Sequence, residues 1–174
     1  MQLKNGKDLL IRKARKEDAA ELISYVNTVA GESDNLLFGA NEFEMTVEQE
    51  ENYIESLSNS PTSAMLVGIV DGKIICAANI SAPKRERVAH NSSIGISVIK
   101  EFWGLGVGSH LMSALIDFAK STGKLEIIHL KVRADNARAI ALYEKMGFKN
   151  VGFFHKDNKI GGKYYDTMLM SLHL

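Results

Sequence analysis

The sequence predicts a single domain, residues 1–174, of the mixed α/β class. Three observations carry that prediction. Apolar residues recur at helical spacing in some stretches and alternate, or run without interruption, in others. The dipeptide Asp71-Gly72 joins two apolar runs in the pattern of a tight hairpin. A glycine-dense turn, Gly104-Leu105-Gly106-Val107-Gly108, stands between a strand pattern and a strong helix pattern.

In chain order, residues 9–15 form a short strand, and Lys16-Glu17-Asp18 opens a helix. That helix carries Ala19, Leu22, Ile23 and Val26 at helical spacing, and Gly31 marks its end. The segment 32–45 is irregular and contains Gly39 and Asn41. Thr46 followed by Gln49 is a capping box for an acidic helix reaching Leu57, with Pro61 beyond it. The hairpin pairs residues 64–70 with 73–80. After a polar loop, a strand covers 92–99 and the glycine turn follows. Val107, Leu111, Leu115 and Phe118 then mark a helix that stops before Gly123. A strand over 127–133 puts Ile128, Leu130 and Val132 on one face. Asp135 or Asn136 caps a helix whose stripe is Ala139, Leu142, Tyr143 and Met146, and Gly147 ends it. The tail, 148–174, reads as two strands around a turn at 158–162.

Composition narrows the function. The longest apolar runs fall short of the ~18 residues that span a bilayer, and the N-terminus lacks a signal-peptide pattern. Cys76 is the only cysteine, so no disulfide forms within the chain. These features predict a cytoplasmic protein with no membrane partner. Basic runs interleaved with aromatics are missing, which predicts no nucleic-acid partner. The net charge of +0 conceals an asymmetry: residues 17–72 hold 12 acids and no Lys or Arg, while 73–174 hold 15 bases and 8 acids. Either the halves line opposite sides of a cleft, or they are two solvated surfaces.

The glycine turn also has two readings. Backbone amides and a helix N-terminus make a phosphate site, and equally a tight strand-to-helix connection needs positive φ. A P-loop is excluded because no Gly-Lys-Ser/Thr follows at the required spacing. A dinucleotide fingerprint would need glycine where Ser109 stands.

Residues 94–148 resemble the GCN5-related N-acetyltransferase superfamily. Val98 ends the strand, Gly106 and Gly108 fill the motif's glycine positions, and the run from Asn136 through Ala139, Leu142, Tyr143 and Gly147 to Phe148 matches its second motif. The ending from Gly162 to Met168 looks like the family's closing strand. The resemblance implies a mixed sheet, splayed in its middle, with helices on both faces. It implies acetyl-CoA as cosubstrate, with the pantetheine arm along Ile96 and Val98 as a substitute strand. The diphosphate would rest on amides of Leu105, Gly106, Val107, Gly108 and Ser109, beside Trp103 and Gly104. Asn136, Ala139 and Tyr143 would flank the arm. Trp103 departs from the pattern, standing where the family has Gln or Arg.

The implied reaction is direct acetyl transfer to a primary amine. The N–H near Val98 would polarise the thioester carbonyl, and Tyr143 would protonate the departing sulfur; as a residue of the helix stripe, Tyr143 is equally a core side chain. The family's strand glutamate is missing from residues 90–98, so His90 is the base expected here, or a water chain. Glu32, Glu42 and Glu44 are the acceptor-side carboxylates, or else solvated surface acids; as a site they suit a cationic amine such as a polyamine, an aminoglycoside or a peptide or protein amine, and the alternative acceptor is an ordinary amino acid or a small neutral amine. No metal is expected: His110, His129, His155 and His173 lack paired ligand spacing. A non-catalytic acyl-CoA-binding module on the same fold is the alternative function, and edge strands in the tail make a homodimer plausible.

Overall fold

A computed structural model describes residues 1–39 and 42–174. Asn41, in the irregular segment above, lies outside the described residues. Seven strands form one sheet in the order β1-β2-β3-β4-β5-β7-β6. They are β1 (Leu10–Lys13), β2 (Ala64–Val70), β3 (Lys73–Ser81), β4 (Asn91–Val98), β5 (Ile127–Arg133), β6 (Lys149–Ile160) and β7 (Lys163–His173). The helices are α1 (Ala19–Glu32), α2 (Val47–Ser58), α3 (Val107–Ser121) and α4 (Ala137–Lys145).

Local signals act where the sequence places them. At the β2–β3 turn Asp71 and Gly72 take φ of 51° and 77°, the double left-handed geometry that matches the strands' twist. Thr46 Oγ1 accepts from Gln49 N at 3.2 Å while Gln49 Oε1 accepts from Thr46 N at 2.8 Å, closing the capping box of α2. Helix α1 runs one residue past Gly31, to Glu32, because the β-region dihedrals that end it fall at Ser33. The tail turn is tighter than expected, only Gly161 and Gly162 standing between β6 and β7.

Two apolar clusters sandwich the sheet. On one face Leu22, Tyr25 and Val29 of α1 and Ile54 of α2 meet Val67 and Ile74. On the other, Leu111, Met112 and Leu115 of α3 meet Leu66, Ile80, Ile128 and Met170. Each such burial stabilises by roughly 1.5–3 kcal/mol. The helices therefore do lie on both faces, as the α/β resemblance implied. No described helix is long and apolar enough to cross a membrane.

The feature that positions the site is the one parallel pairing. Strand β4 pairs with β3 antiparallel from Ser93 to Val98. It pairs with β5 only at Asn91↔Ile127, Ser92↔Ile128 and Ser93↔His129. Beyond Ser93 the two strands part. β5 stays in the sheet through β7, from Ile127↔His173 to Arg133↔Thr167, so the sheet opens like a V.

Candidate active site

A cleft of about 1590 Å³ occupies the opening. Its walls are the second half of β4 and of β5, its far end is the Trp103–Ser109 bend, and Asn136, Ala139 and Tyr143 of the α4 region face in. Antiparallel strands turn alternate residues' N–H and C=O to opposite neighbours. Ile99 N donates to Ile75 O at 3.0 Å, toward β3. Val98 O turns the other way and accepts from Trp103 Nε1 at 2.7 Å. By that alternation the amides of Ile96 and Val98 face the cleft.

The bend is built for backbone donors. Gly104 and Gly106 adopt φ of 79° and 95°, a region that side chains disfavour. Gly106 is the N-cap of α3 and no side chain caps it. The first intrahelical bond is His110 N to Gly106 O at 3.1 Å, which leaves the amides of Val107, Gly108 and Ser109 unpaired within the helix, and these residues line the cleft. No acidic residue occupies the first turn, so the positive end of the helix is uncompensated. Gly108 serves packing as well: a Cβ there would sit 3.0 Å from Leu142 Cδ2. Leu105, expected beside the phosphates, is not among the residues lining the cleft; it packs on the core.

Trp103 has a use the sequence reading missed. Its indole N–H is spent on Val98 O, and its ring carries the guanidinium of Arg138, 4.6 Å from the centroid. A cation from α4 thus stands at the bend, though residue 103 itself has none. The signal was the Arg138 inside the second motif, two residues after Asn136. Asn136 caps α4, its Oδ1 accepting from Ala139 N at 3.2 Å, and its amide nitrogen remains available to the cleft.

Tyr143 is buried, with its ring 5.9 Å from that of Phe148. Burial pushes its hydroxyl up to about 12, so the phenol stays protonated at neutral pH. Among the described residues no fully buried side-chain oxygen or nitrogen lacks a partner. Tyr143 makes no side-chain hydrogen bond, so its hydroxyl opens into the cleft that the residue lines.

His90 does not reach this cleft. It lies just before β4, at the closed end of the V, where its carbonyl accepts from Glu126 N at 2.8 Å and Ile127 N at 3.2 Å. Among the acceptor-side acids only Glu32 lines the cleft, and its Oε2 accepts from Lys100 N at 2.7 Å. Glu42 Oε2 instead accepts from Gly39 N at 2.8 Å, and Glu44 is exposed outside the lining. The acidic run therefore gives the cleft one carboxylate, Glu32, beside Asp135 and Asp157 from the other half of the chain, because most of the run faces solvent from α2 and the segment before it. The cations that do face in are Lys4, Lys131, Arg133 and Arg138. Arg133 pairs with Asp135 at 2.6 Å and donates to Asp34 O at 2.8 Å, tying the segment after α1 across the cleft. Among the described residues no group of three His, Cys, Asp or Glu could hold a metal.

A family model described as the acetyltransferase (GNAT) family matches residues 32–148. The chain is 32% identical over 117 residues to the L-amino acid N-acetyltransferase AaaT of Escherichia coli K12, covering 67% of this chain and 72% of that protein. An acetyltransferase of the GNAT family from Streptococcus pneumoniae superposes with a TM-score of 0.94 at 33% identity, covering 96% of this chain and all of that one, 100%. The yncA protein of Salmonella typhimurium, solved with its cofactor acetyl-CoA, shares the fold at a TM-score of 0.83 and 20% identity, over 95% of this chain and 94% of that one.

Proposed function

The chain belongs to the acetyltransferase (GNAT) family, and from that premise we propose that it moves an acetyl group from acetyl-CoA to a primary amine, directly, in a ternary complex. The observation that carries this reading is the parting of β4 from β5 next to the uncapped N-terminus of α3. An extended arm bonds to the free amides of Ile96 and Val98 as a replacement strand. A diphosphate suits the amides of Val107, Gly108 and Ser109, and Arg138, braced on Trp103, supplies a cation beside it. The fold neighbour that carries acetyl-CoA supports the choice of cosubstrate.

In the reaction the amine nitrogen bonds to the thioester carbon and the carbon–sulfur bond breaks. An inward N–H of β4, at Val98 or Ile96, stabilises the oxygen's developing charge. The Tyr143 hydroxyl gives its proton to the leaving sulfur and regains one from the newly acylated nitrogen. The acceptor's class follows from charge. Of the carboxylates that line the cleft, Glu32 accepts from Lys100 N and Asp135 is paired with Arg133, which leaves a polyamine or aminoglycoside Asp157 alone. An amine that carries a carboxylate finds Lys131, exposed and without an ion-pair partner among the described residues. An amino-acid-like acceptor is therefore the better match, and the E. coli relative's name supports it. The test is a panel of amino acids, polyamines, aminoglycosides and peptides with detection of released thiol, run beside calorimetry with coenzyme A. Coenzyme A binding with turnover on no amine would favour the non-catalytic alternative; no binding would sink the proposal.

A further inference from the structure

The closed end of the V holds a hydrogen-bonded relay. His129, on β5, sits at the last rung shared with β4 and faces Ser171 across the β5–β7 ladder. Both line the cleft. His129 Nδ1 lies 2.7 Å from Ser171 Oγ, and His129 Nε2 lies 3.2 Å from Asn91 Oδ1. On its other side the Asn91 amide nitrogen lies 3.3 Å from His90 Nε2.

Donor and acceptor chemistry fixes the protons in this chain. An amide nitrogen only donates and an amide oxygen only accepts. His90 Nε2 therefore accepts from Asn91, and His129 Nε2 carries the proton that Asn91 Oδ1 receives. The second ring nitrogen of a neutral His129, Nδ1, is then an acceptor, and the Ser171 hydroxyl donates to it.

We propose that His129, acting through the Ser171 hydroxyl, is the base that takes the proton from the acceptor's ammonium group, with Asn91 and His90 as positioning residues that hold its tautomer. This rests on the acetyltransferase reading above. A cofactor arm that runs along β4 from Ser109, with its carbonyl on the Ile96 amide, ends three residues short of the Ser93 rung, so an acceptor amine that reaches it from the closed end passes the relay. The ammonium gives a proton to Ser171 Oγ as Ser171 passes its own to His129 Nδ1. The neutral amine forms the carbon–nitrogen bond, the electron pair of the carbon–sulfur bond leaves with sulfur, and Tyr143 protonates the thiolate. The nitrogen's next proton restores Tyr143, and His129 returns its proton to solvent. The charged and titratable groups that line the cleft with the relay include Lys131 two residues along β5, Glu32 from α1, Asp157 from β6, Tyr143 from α4 and the paired Arg133 and Asp135, and His90 lies beyond Asn91.

His129→Gln keeps polar atoms for Ser171 and Asn91 but cannot titrate. With an amine found by the panel, kcat at pH ~7 should fall about 100-fold, coenzyme A affinity should stay within about twofold, and activity should recover as pH rises and the amine deprotonates by itself. Ser171→Ala should give the same pattern more weakly. Imidazole ¹⁵N NMR of the wild-type protein should show His129 protonated at Nε2 alone. A His129→Gln enzyme with wild-type kcat and pH profile, or a His129 protonated at Nδ1, overturns the base assignment while leaving the acetyltransferase reading standing. Turnover on no amine would overturn both.

Discussion

Replacing Tyr143 by Phe separates the two roles its helix position permits. The ring is buried and packs on Phe148, and its hydroxyl has no partner among the described residues. Removing the oxygen leaves no orphaned group and no lost side-chain bond, so the stability change should stay within about 0.5 kcal/mol. If the hydroxyl protonates the leaving sulfur, kcat should fall by about 100- to 1000-fold, roughly 3–4 kcal/mol on the barrier. The phenol is pushed up to about 12, so it contributes no titration limb over about pH 6–9, and the mutant's pH profile should be lowered without changing shape. The assay is thiol release at saturating acetyl-CoA, with a urea melt and calorimetry on the same preparation. A Tyr143→Phe protein with kcat within threefold of wild type refutes the acid role; a normal kcat joined to a large loss of stability returns Tyr143 to the core.

Gly106→Ala places a side chain at φ 95°; it should cost about 1–2 kcal/mol in a urea melt and weaken coenzyme A binding, whereas equal affinity would deny the bend a role in binding. Asp18 and Glu50 should give opposite pH dependences of stability. Hydrogen bonds from Arg12 at 2.6 and 2.8 Å hold the Asp18 carboxyl below its ordinary range. Its stabilisation is therefore present above about pH 4 and lost as pH falls through the lowered value; Asp18→Asn should lower the melting temperature at neutral pH and flatten that acid limb. Burial alone pushes Glu50 up, so its contribution is fullest below about pH 4.3 and lost as pH rises through the raised value. Glu50→Gln should accordingly raise the melting temperature at neutral pH, and a lower one would show that the ionised carboxylate has a partner.

The two walls of the proposed site, for coenzyme A and for the acceptor, were legible to different degrees. The wall proposed for coenzyme A is nearly continuous in sequence, from Ile96 to Ser109 and again from Asn136 to Tyr143, so the order and spacing of its residues could be read directly. The wall proposed for the acceptor draws on α1, β5, β6 and β7, whose lining residues lie far apart in the chain. His90 looked suitable because it adjoins the correct strand, yet it lies just before β4, outside the cleft lining, and meets the relay only through Asn91. His129 was weighed only as a metal ligand, in a strand whose apolar face, Ile128, Leu130 and Val132, was the stronger signal.

Local chemistry in the sequence settled the elements themselves: the capping box of α2, the Asp71-Gly72 turn and the glycines that open α3 each act over a few residues, and no distant partner is needed to specify them. The register of β4 against β5 was different. Three rungs of pairing and then a parting depend on how α1 and α2 pack on one face of the sheet, α3 and α4 on the other and β7 along β5, and those long-range contacts decided that Ser171, His129 and Asn91 meet, that Arg138 leans on Trp103, and that most of the acidic run faces water.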